Sequence, residues 1–252
     1  MQFPKANSFP KTLVQSKIMG PNPLKLCEEM LSIADECVGY TVGVGCRAIP
    51  EGSVVLDLGS GTGITTAMLA RECGYTAYAA DLWSNPSDNL RFFERLGLTN
   101  HQAIPVKVDA SEGMPFAEGF FDAAVSTDSY HYFGRDAVFL DAKLLPYVKR
   151  GGVIAACFPG MKRDCHSNPP ACLLASWTPE QLNYIHDADW WHKVLQQSKG
   201  AEILAIREME CTEEAWADWL QCENEYAQGD RAAIEAGALD YLNSITIVLR
   251  KK

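Results

Sequence analysis

Val54-Val55-Leu56-Asp57-Leu58-Gly59-Ser60-Gly61-Thr62-Gly63 is the stretch that decides the fold. An apolar strand runs straight into a loop with glycine at every second position. Glycine has no Cβ, so such a loop turns through positive φ and lets backbone N–H groups approach a bound molecule closely. The following Ile64-Thr65-Thr66-Ala67-Met68-Leu69-Ala70-Arg71 reads as a helix whose N-terminus points at the same place. Strand, glycine loop and helix together make a nucleotide-type site.

The glycine spacing narrows the ligand. A dinucleotide fingerprint, G-x-G-x-x-G, aims a helix N-terminus at a pyrophosphate, and here Ile64 stands where the third glycine belongs. Downstream, Tyr75–Ala80 reads as a second strand ending at Asp81, about 20 residues beyond the loop, where a carboxylate accepts hydrogen bonds from ribose hydroxyls. Ile104–Val108 reads as a third strand ending in Asp109-Ala110.

Asp57-x-Gly59-x-Gly61-x-Gly63 resembles the first motif of class I S-adenosylmethionine-dependent methyltransferases, whose ligand has an amino-acid end and no phosphate. Met114-Pro115-Phe116-Ala117-Glu118-Gly119-Phe120-Phe121-Asp122 resembles the LPF-x-x-x-x-FD run of the ubiquinone and menaquinone C-methyltransferase-like branch, methyltransferase type 11. Leu144 to Ile154 resembles the L-K-P-G-G turn before the fifth strand of that branch, with Arg150 at the usual proline position. The resemblance spans roughly residues 50–158. It implies S-adenosyl-L-methionine as cofactor and S-adenosyl-L-homocysteine as product. Asp57, Gly59, Ser60, Gly61, Gly63 and Ser126 would serve the methionine end, Asp81 the ribose, and Asp109 with Ala110 the adenine. Leu82 and Trp83 would lie against the adenine ring, and no metal is obligatory.

With 252 residues and 47% hydrophobic content, the chain suits one α/β domain rather than two. A net charge of −10, with no cluster of Lys and Arg, disfavours nucleic acid and anionic membrane as partners. The nine cysteines form no C-x-x-C pair, so neither a zinc site nor a disulfide scaffold is expected. The N-terminus lacks the apolar core of a secretory signal, and no apolar run reaches the length of a membrane span. A cytoplasmic location is expected.

Along the chain, residues 1–22 read as an irregular arm, and Asn22-Pro23 as an N-cap with proline at the first helical position. Leu24, Cys27, Met30, Leu31, Ala34 and Cys37 recur at helical spacing and are expected to pack on the sheet. Gly39 through Gly45 breaks the pattern. From 53 to 158 the order is strand, helix, strand, helix, strand, short helix, strand, helix, strand, which predicts a doubly wound parallel sheet. Pro159–Pro179 is long for a connection and Thr212–Leu239 interrupts what the family makes a hairpin of strands six and seven. Ser244–Leu249 closes the sheet antiparallel.

The expected architecture is therefore α/β: a Rossmann-like, doubly wound, mostly parallel seven-stranded sheet with an antiparallel last strand. A single domain, 1–252, would carry an arm and helix (1–50), a cofactor-binding core (51–158) and two helical covers over the substrate (159–188 and 212–239).

In an open α/β sheet, ligands bind beyond the carboxyl ends of the strands near the point where strand order reverses. Asp128-Ser129-Tyr130-His131-Tyr132-Phe133, directly after the fourth strand, supplies the groups for proton transfer to a small-molecule methyl acceptor. His131 is the expected base, with Tyr130 and Tyr132 shaping the pocket and meeting the sulfonium through their π-faces. His186 and His166 are rivals from the covers. Cys157, Cys165 and Cys172 raise an arsenite-binding alternative. The acidic run Glu213, Glu214, Asp218, Glu223 and Glu225 reads as a solvated helix face that would also suit a cationic amine. A non-catalytic S-adenosylmethionine-binding protein and an NAD-linked oxidoreductase are the competing functions. Carbon, nitrogen, oxygen and sulfur acceptors all occur on this fold, and oligomeric state is equally open.

Overall fold

The computed structural model describes residues 2–42 and 47–252. A short helix α1 (Lys11–Gln15) precedes α2 (Pro23–Val42), which starts where the sequence places it: the Asn22 side chain accepts the Leu24 N–H at 3.0 Å, with proline in the first turn. Leu24, Cys27, Met30 and Ala34 are fully buried along one face of α2. The helix runs through Gly39 to Val42, past the expected break; residues 43–46, where that break would continue, lie outside the described residues.

β1 (Val54–Leu58), α3 (Ile64–Cys73), β2 (Thr76–Asp81), α4 (Pro86–Arg95), β3 (Ala103–Lys107), β4 (Phe121–Thr127) and β5 (Val148–Met161) form the core, with α5 (Ala137–Phe139) and short turns of tighter and wider helix between β4 and β5. The expected short helix between β3 and β4 is absent. A loop replaces it, whose Met114, Phe116 and Phe120 join Tyr78 and Phe121 in an apolar cluster that anchors the segment without helical hydrogen bonds. α6 (Ala171–Leu174), α7 (Pro179–Leu182) and α8 (Ala188–Leu195) lead to β6 (Ala201–Glu208); α9 (Thr212–Trp219) and α10 (Glu225–Glu235) precede β7 (Leu242–Lys251).

The sheet order is β3-β2-β1-β4-β5-β7-β6. β1 to β5 are parallel, and β7 runs antiparallel to both β5 and β6. This is the expected Rossmann-like seven-stranded sheet, with strand order reversing between β1 and β4. Buried apolar clusters cover both faces. Among the described residues, no helix is long and apolar enough to cross a membrane.

The arm departs from expectation. It is not irregular: Phe3, Ala6, Phe9, Val14 and Ile18 are buried against the core, because the apolar residues spaced along this Pro- and Lys-rich segment find a surface to cover. Its end, Lys17–Asn22, crosses the glycine loop, where the Lys17 carbonyl accepts the Thr62 hydroxyl at 2.8 Å. The insertion is helical as expected, and it is pinned to α2: Glu214 and Asp218 hold Lys25 Nζ at 2.7 and 2.8 Å. That part of the acidic run is thus an ion-pair seam and not a free solvated face.

Candidate active site

Three segments converge at the ends of β1, β2 and β4. In the glycine loop the Gly61 N–H donates to Asp81 Oδ2 at 2.8 Å, while Asp81 Oδ1 accepts from the Trp83 and Ser84 N–H groups at 2.8 and 2.7 Å. The carboxylate thereby fastens the first loop to the second, and retains lone pairs for a further donor. Gly61 has φ +52°, and a Cβ built there meets nothing within 4 Å, so this residue faces open space. Gly59 (φ +74°) instead faces Ser129, whose Oγ would lie 1.8 Å from a Cβ on Gly59.

The remaining sequence-predicted cofactor residues divide into two groups. Ser60 lines a recess of about 140 Å³ beside Gly59, Gly61 and Thr127–Ser129, roofed by Lys17–Gly20 of the arm. The Ser60 hydroxyl is buried there without a hydrogen-bond partner, which marks a place for a polar ligand, while the Thr127 hydroxyl reaches the buried Cys27 and Cys157 thiols. Asp109 and Ala110 follow β3 next to Asp81, since Val108 N–H donates to the Asp81 carbonyl at 3.0 Å. The Ser111 N–H and hydroxyl occupy Asp109 Oδ1 and hold its carboxyl below the usual range. Leu82 and Trp83 are exposed, Trp83 at 88%.

Asp57, Gly63 and Ser126 make scaffold contacts, and Asp57 Oδ1 is buried without a partner. Asp57 is buried beneath the loop and accepts the Thr65 and Thr66 hydroxyls at 2.8 and 2.6 Å, tying β1 to the first turn of α3. Burial pushes its carboxyl up to about 6 despite these bonds. A Cβ on Gly63 would lie 2.8 Å from the Phe93 ring, so this glycine lets α4 pack on α3. The Ser126 hydroxyl donates to the Leu58 carbonyl at 2.8 Å, and the next three residues face the recess in its place.

A cavity of about 650 Å³ adjoins the recess, and both are lined by Met19, Gly20 and Asp128. The two segments expected as covers both line it, through Trp177, Gln181 and Tyr184 of the first and Tyr226 of the second. Trp177 Nε1 and Trp219 Nε1 donate to the two oxygens of Asp230 at 3.0 and 2.8 Å. The Asn243 amide is buried at this cavity with neither its nitrogen nor its oxygen partnered.

The expected catalytic pair is not supported as a pair. Tyr130 is fully buried and packs on Phe139, Phe158 and Trp191, away from the cavity; burial raises its phenol further above the ordinary value. The 3-10 turn Tyr130–Tyr132 points successive side chains in different directions, which a linear reading cannot resolve. His131 does line the cavity, and Nδ1 is unpartnered. Burial and then the nearby Arg135 guanidinium hold its imidazole down to about 3, so it stays neutral and weakly basic. His166 has both ring nitrogens engaged, with Asp164 at 2.6 Å and the Leu182 carbonyl at 3.0 Å. His186 stacks on Trp190 at 3.7 Å, outside the cavity. Cys157 is buried within β5, apart from Cys165 and Cys172 under the cover, so the three thiols make no common site.

Asp128 is the group that sequence reasoning passed over in favour of His131. It is the residue directly after β4, at φ +57°, the one non-glycine position with positive φ among the described residues. Its N–H donates to the Cys157 carbonyl at 2.7 Å, and no hydrogen bond among the described residues reaches its carboxylate. A Cβ on Gly20 would lie 2.4 Å from Oδ2. Enclosure, reinforced by Asp230, pushes the carboxyl up to about 7. A strained residue with a perturbed acid at the junction of two spaces is a candidate for proton transfer. The available signal was an acid immediately after a core strand.

His131→Ala is therefore expected to lower turnover by less than about tenfold and leave the pH profile in place, since general-base removal costs about 10²–10⁴-fold. Steady-state rates between pH 5 and 9 check this.

Residues 56–156 match the family described as a methyltransferase domain. A search of curated proteins finds no match for the sequence. Among solved structures, geranyl diphosphate C-methyltransferase from Streptomyces coelicolor A3(2) shares 15% identity over 88% of this chain and 79% of that one, with a TM-score of 0.64. A putative sarcosine dimethylglycine methyltransferase from Galdieria sulphuraria shares 17% identity over 90% and 87%, with a TM-score of 0.62. The [4+2]-cyclase SpnF shares 20% identity over 87% and 80%, with a TM-score of 0.63. These likenesses are likenesses of fold.

Proposed function

We propose that this chain, with its methyltransferase-domain match over residues 56–156, is an S-adenosyl-L-methionine-dependent methyltransferase of the type 11 branch that acts on a small-molecule acceptor. The observation that carries the reading is the junction at Asp128 of a polar recess on the glycine loop with a cavity closed by the two covers. The free thiols of the eight described cysteines suit a cytoplasmic protein.

The residues present fit the cofactor. The orphaned hydroxyl of Ser60 and the open face of Gly61 suit an amino-acid end; Asp81, with spare lone pairs, suits ribose hydroxyls. Asp109, Ala110 and Leu82 would border the adenine. At about 140 Å³ the recess is below the roughly 300–1,000 Å³ of ligand pockets. Entry thus requires Ser129 and Lys17–Gly20 to shift, and both are loop segments.

When bound, the cofactor supplies an electrophilic methyl group on a sulfonium. The chain's own part is positioning, exclusion of water and proton removal. The covers enclose the acceptor, neutral His131 and Tyr132 border it, and an Asp128 carboxylate oxygen accepts the proton that the acceptor must lose. An acid with a pKa near 7 is half-ionised at neutral pH, which suits it to that task. An NAD-linked oxidoreductase is disfavoured because Ile64 lines the recess where a glycine would admit a pyrophosphate.

S-adenosylhomocysteine is expected to raise the melting temperature, and NAD to leave it unchanged, because only the folded loops bind. A shift with NAD alone would reverse the assignment. Asp81→Ala is expected to weaken S-adenosylhomocysteine binding by about 10–150-fold, the scale of ~1.5–3 kcal/mol for a hydrogen bond to a charged group. Calorimetry checks it, and an affinity within about twofold of the parent would remove Asp81 from the ribose role.

A further inference from the structure

The cavity has a composition that the methyl-transfer reading does not require. Its walls carry Trp177, Trp216, Trp219, Tyr132, Tyr184 and Tyr226. Three carboxylates, Asp128, Glu225 and Asp230, face the same space, and no Lys or Arg is among the described residues that line it. The Arg135 guanidinium stacks on Tyr184 at 4.0 Å and is bonded to the His131 and Asn183 carbonyls at 3.1 Å each, and Arg135 is not among the lining residues. His131 adds no positive charge. The buried, unpartnered Asn243 amide and His131 Nδ1 at the same cavity are polar groups that await a ligand.

Aromatic faces and carboxylates attract ammonium groups and repel anions, and Arg135 occupies a face of Tyr184 alone among the six rings. Asp230 contributes twice: it holds the Trp177 and Trp219 indoles in place through their N–H groups and leaves negative charge behind them. Tyr132 and Tyr226, 59% and 61% exposed, stand at the mouth, an unusual place for rings unless something covers them.

We propose that the acceptor is a cationic amine, bound among these rings and carboxylates and methylated on nitrogen. This rests on the methyltransferase reading for the transfer itself. Asp128 takes one proton from the ammonium nitrogen. The freed lone pair forms the N–C bond as the S–C bond breaks, sulfur keeps that electron pair as a neutral thioether, and the positive charge passes to the methylated nitrogen. Asp128 returns its proton to solvent. The titratable groups around it are Asp230 from α10, Cys157 from β5, and His131 and Tyr132 from its own loop.

Three probes of one shape separate charge from size: choline, its carbon isostere 3,3-dimethylbutan-1-ol, and the anion 3,3-dimethylbutanoate. Tryptophan fluorescence is titrated at pH 8 on the full chain, with and without S-adenosylhomocysteine. Choline is expected to bind at least about tenfold more tightly than the alcohol, with the anion weakest, and Asp128→Asn or Glu225→Gln to cut the choline preference about threefold or more. Equal affinity for choline and the alcohol, preference for the anion, or a choline preference unchanged in both variants would overturn the proposal. Calorimetry with S-adenosylhomocysteine alone judges the methyltransferase reading separately: no binding there would remove that reading, whatever choline does.

Discussion

Gly61→Val is expected to abolish the rise in melting temperature that S-adenosylhomocysteine gives the parent protein. Gly61 stands at φ +52°, and a Cβ at this position would have nothing within 4 Å, so a valine side chain would project into the open space beside the recess rather than into protein. A β-branched residue is also strained at positive φ. The loop would relax toward negative φ and withdraw the N–H that Asp81 Oδ2 accepts at 2.8 Å, so the fastening of first loop to second is lost with the ligand surface. Because a side chain here would pack against nothing, the variant should still fold. A far-ultraviolet spectrum like the parent's, together with a flat thermal response to ligand, is the expected result; a full ligand shift in folded Gly61→Val would mean that the cofactor binds elsewhere.

Asp128→Asn should act in two ways that are read separately. Turnover should fall about 10²–10⁴-fold, the range for loss of a general base, and the parent's rise in rate through about pH 7 should disappear. Stability should move in the opposite direction. In the folded chain the carboxyl titrates at about 7, and in the unfolded chain near 3.9. The native state therefore binds more protons between these values, and the parent loses stability as pH rises from about 4 to about 7. Asparagine keeps the shape, tolerates the left-handed φ of +57°, and has no charge to desolvate. The variant is thus expected to melt above the parent at pH 8, by at least about 2 °C for a domain of this size, and level with it near pH 4. Equal melting points at pH 8 would mean that the carboxylate is well solvated and carries no perturbed proton.

The sheet was legible because its signals are local. A buried parallel strand must be an apolar run, and the turn that follows takes glycine where φ is positive, as at Gly59, Gly61 and Gly63, so β1, its loop and α3 stand in the sequence with their boundaries. Asn22 capping α2 and Asp81 closing β2 are equally local, one hydrogen bond or one strand end away from what they serve. The extra helices between β6 and β7 were legible by the spacing of Trp216, Trp219 and Leu220.

What the covers enclose was not. Asp128, Asp230, Trp177 and Asn243 come from four separate stretches of chain, and their common cavity exists only once β7 has entered between β5 and β6 and α10 has folded back. The choice between His131 and Asp128 as base turns on desolvation and on neighbouring charge, Arg135 for one and Asp230 for the other. Sequence by itself determined the strand ends and the glycine loop that meet at one edge of the sheet, since these carry their signals in their own spacing. Only the tertiary structure decided what lines the cavity beside them, because burial and electric field are sums over residues far apart in the chain.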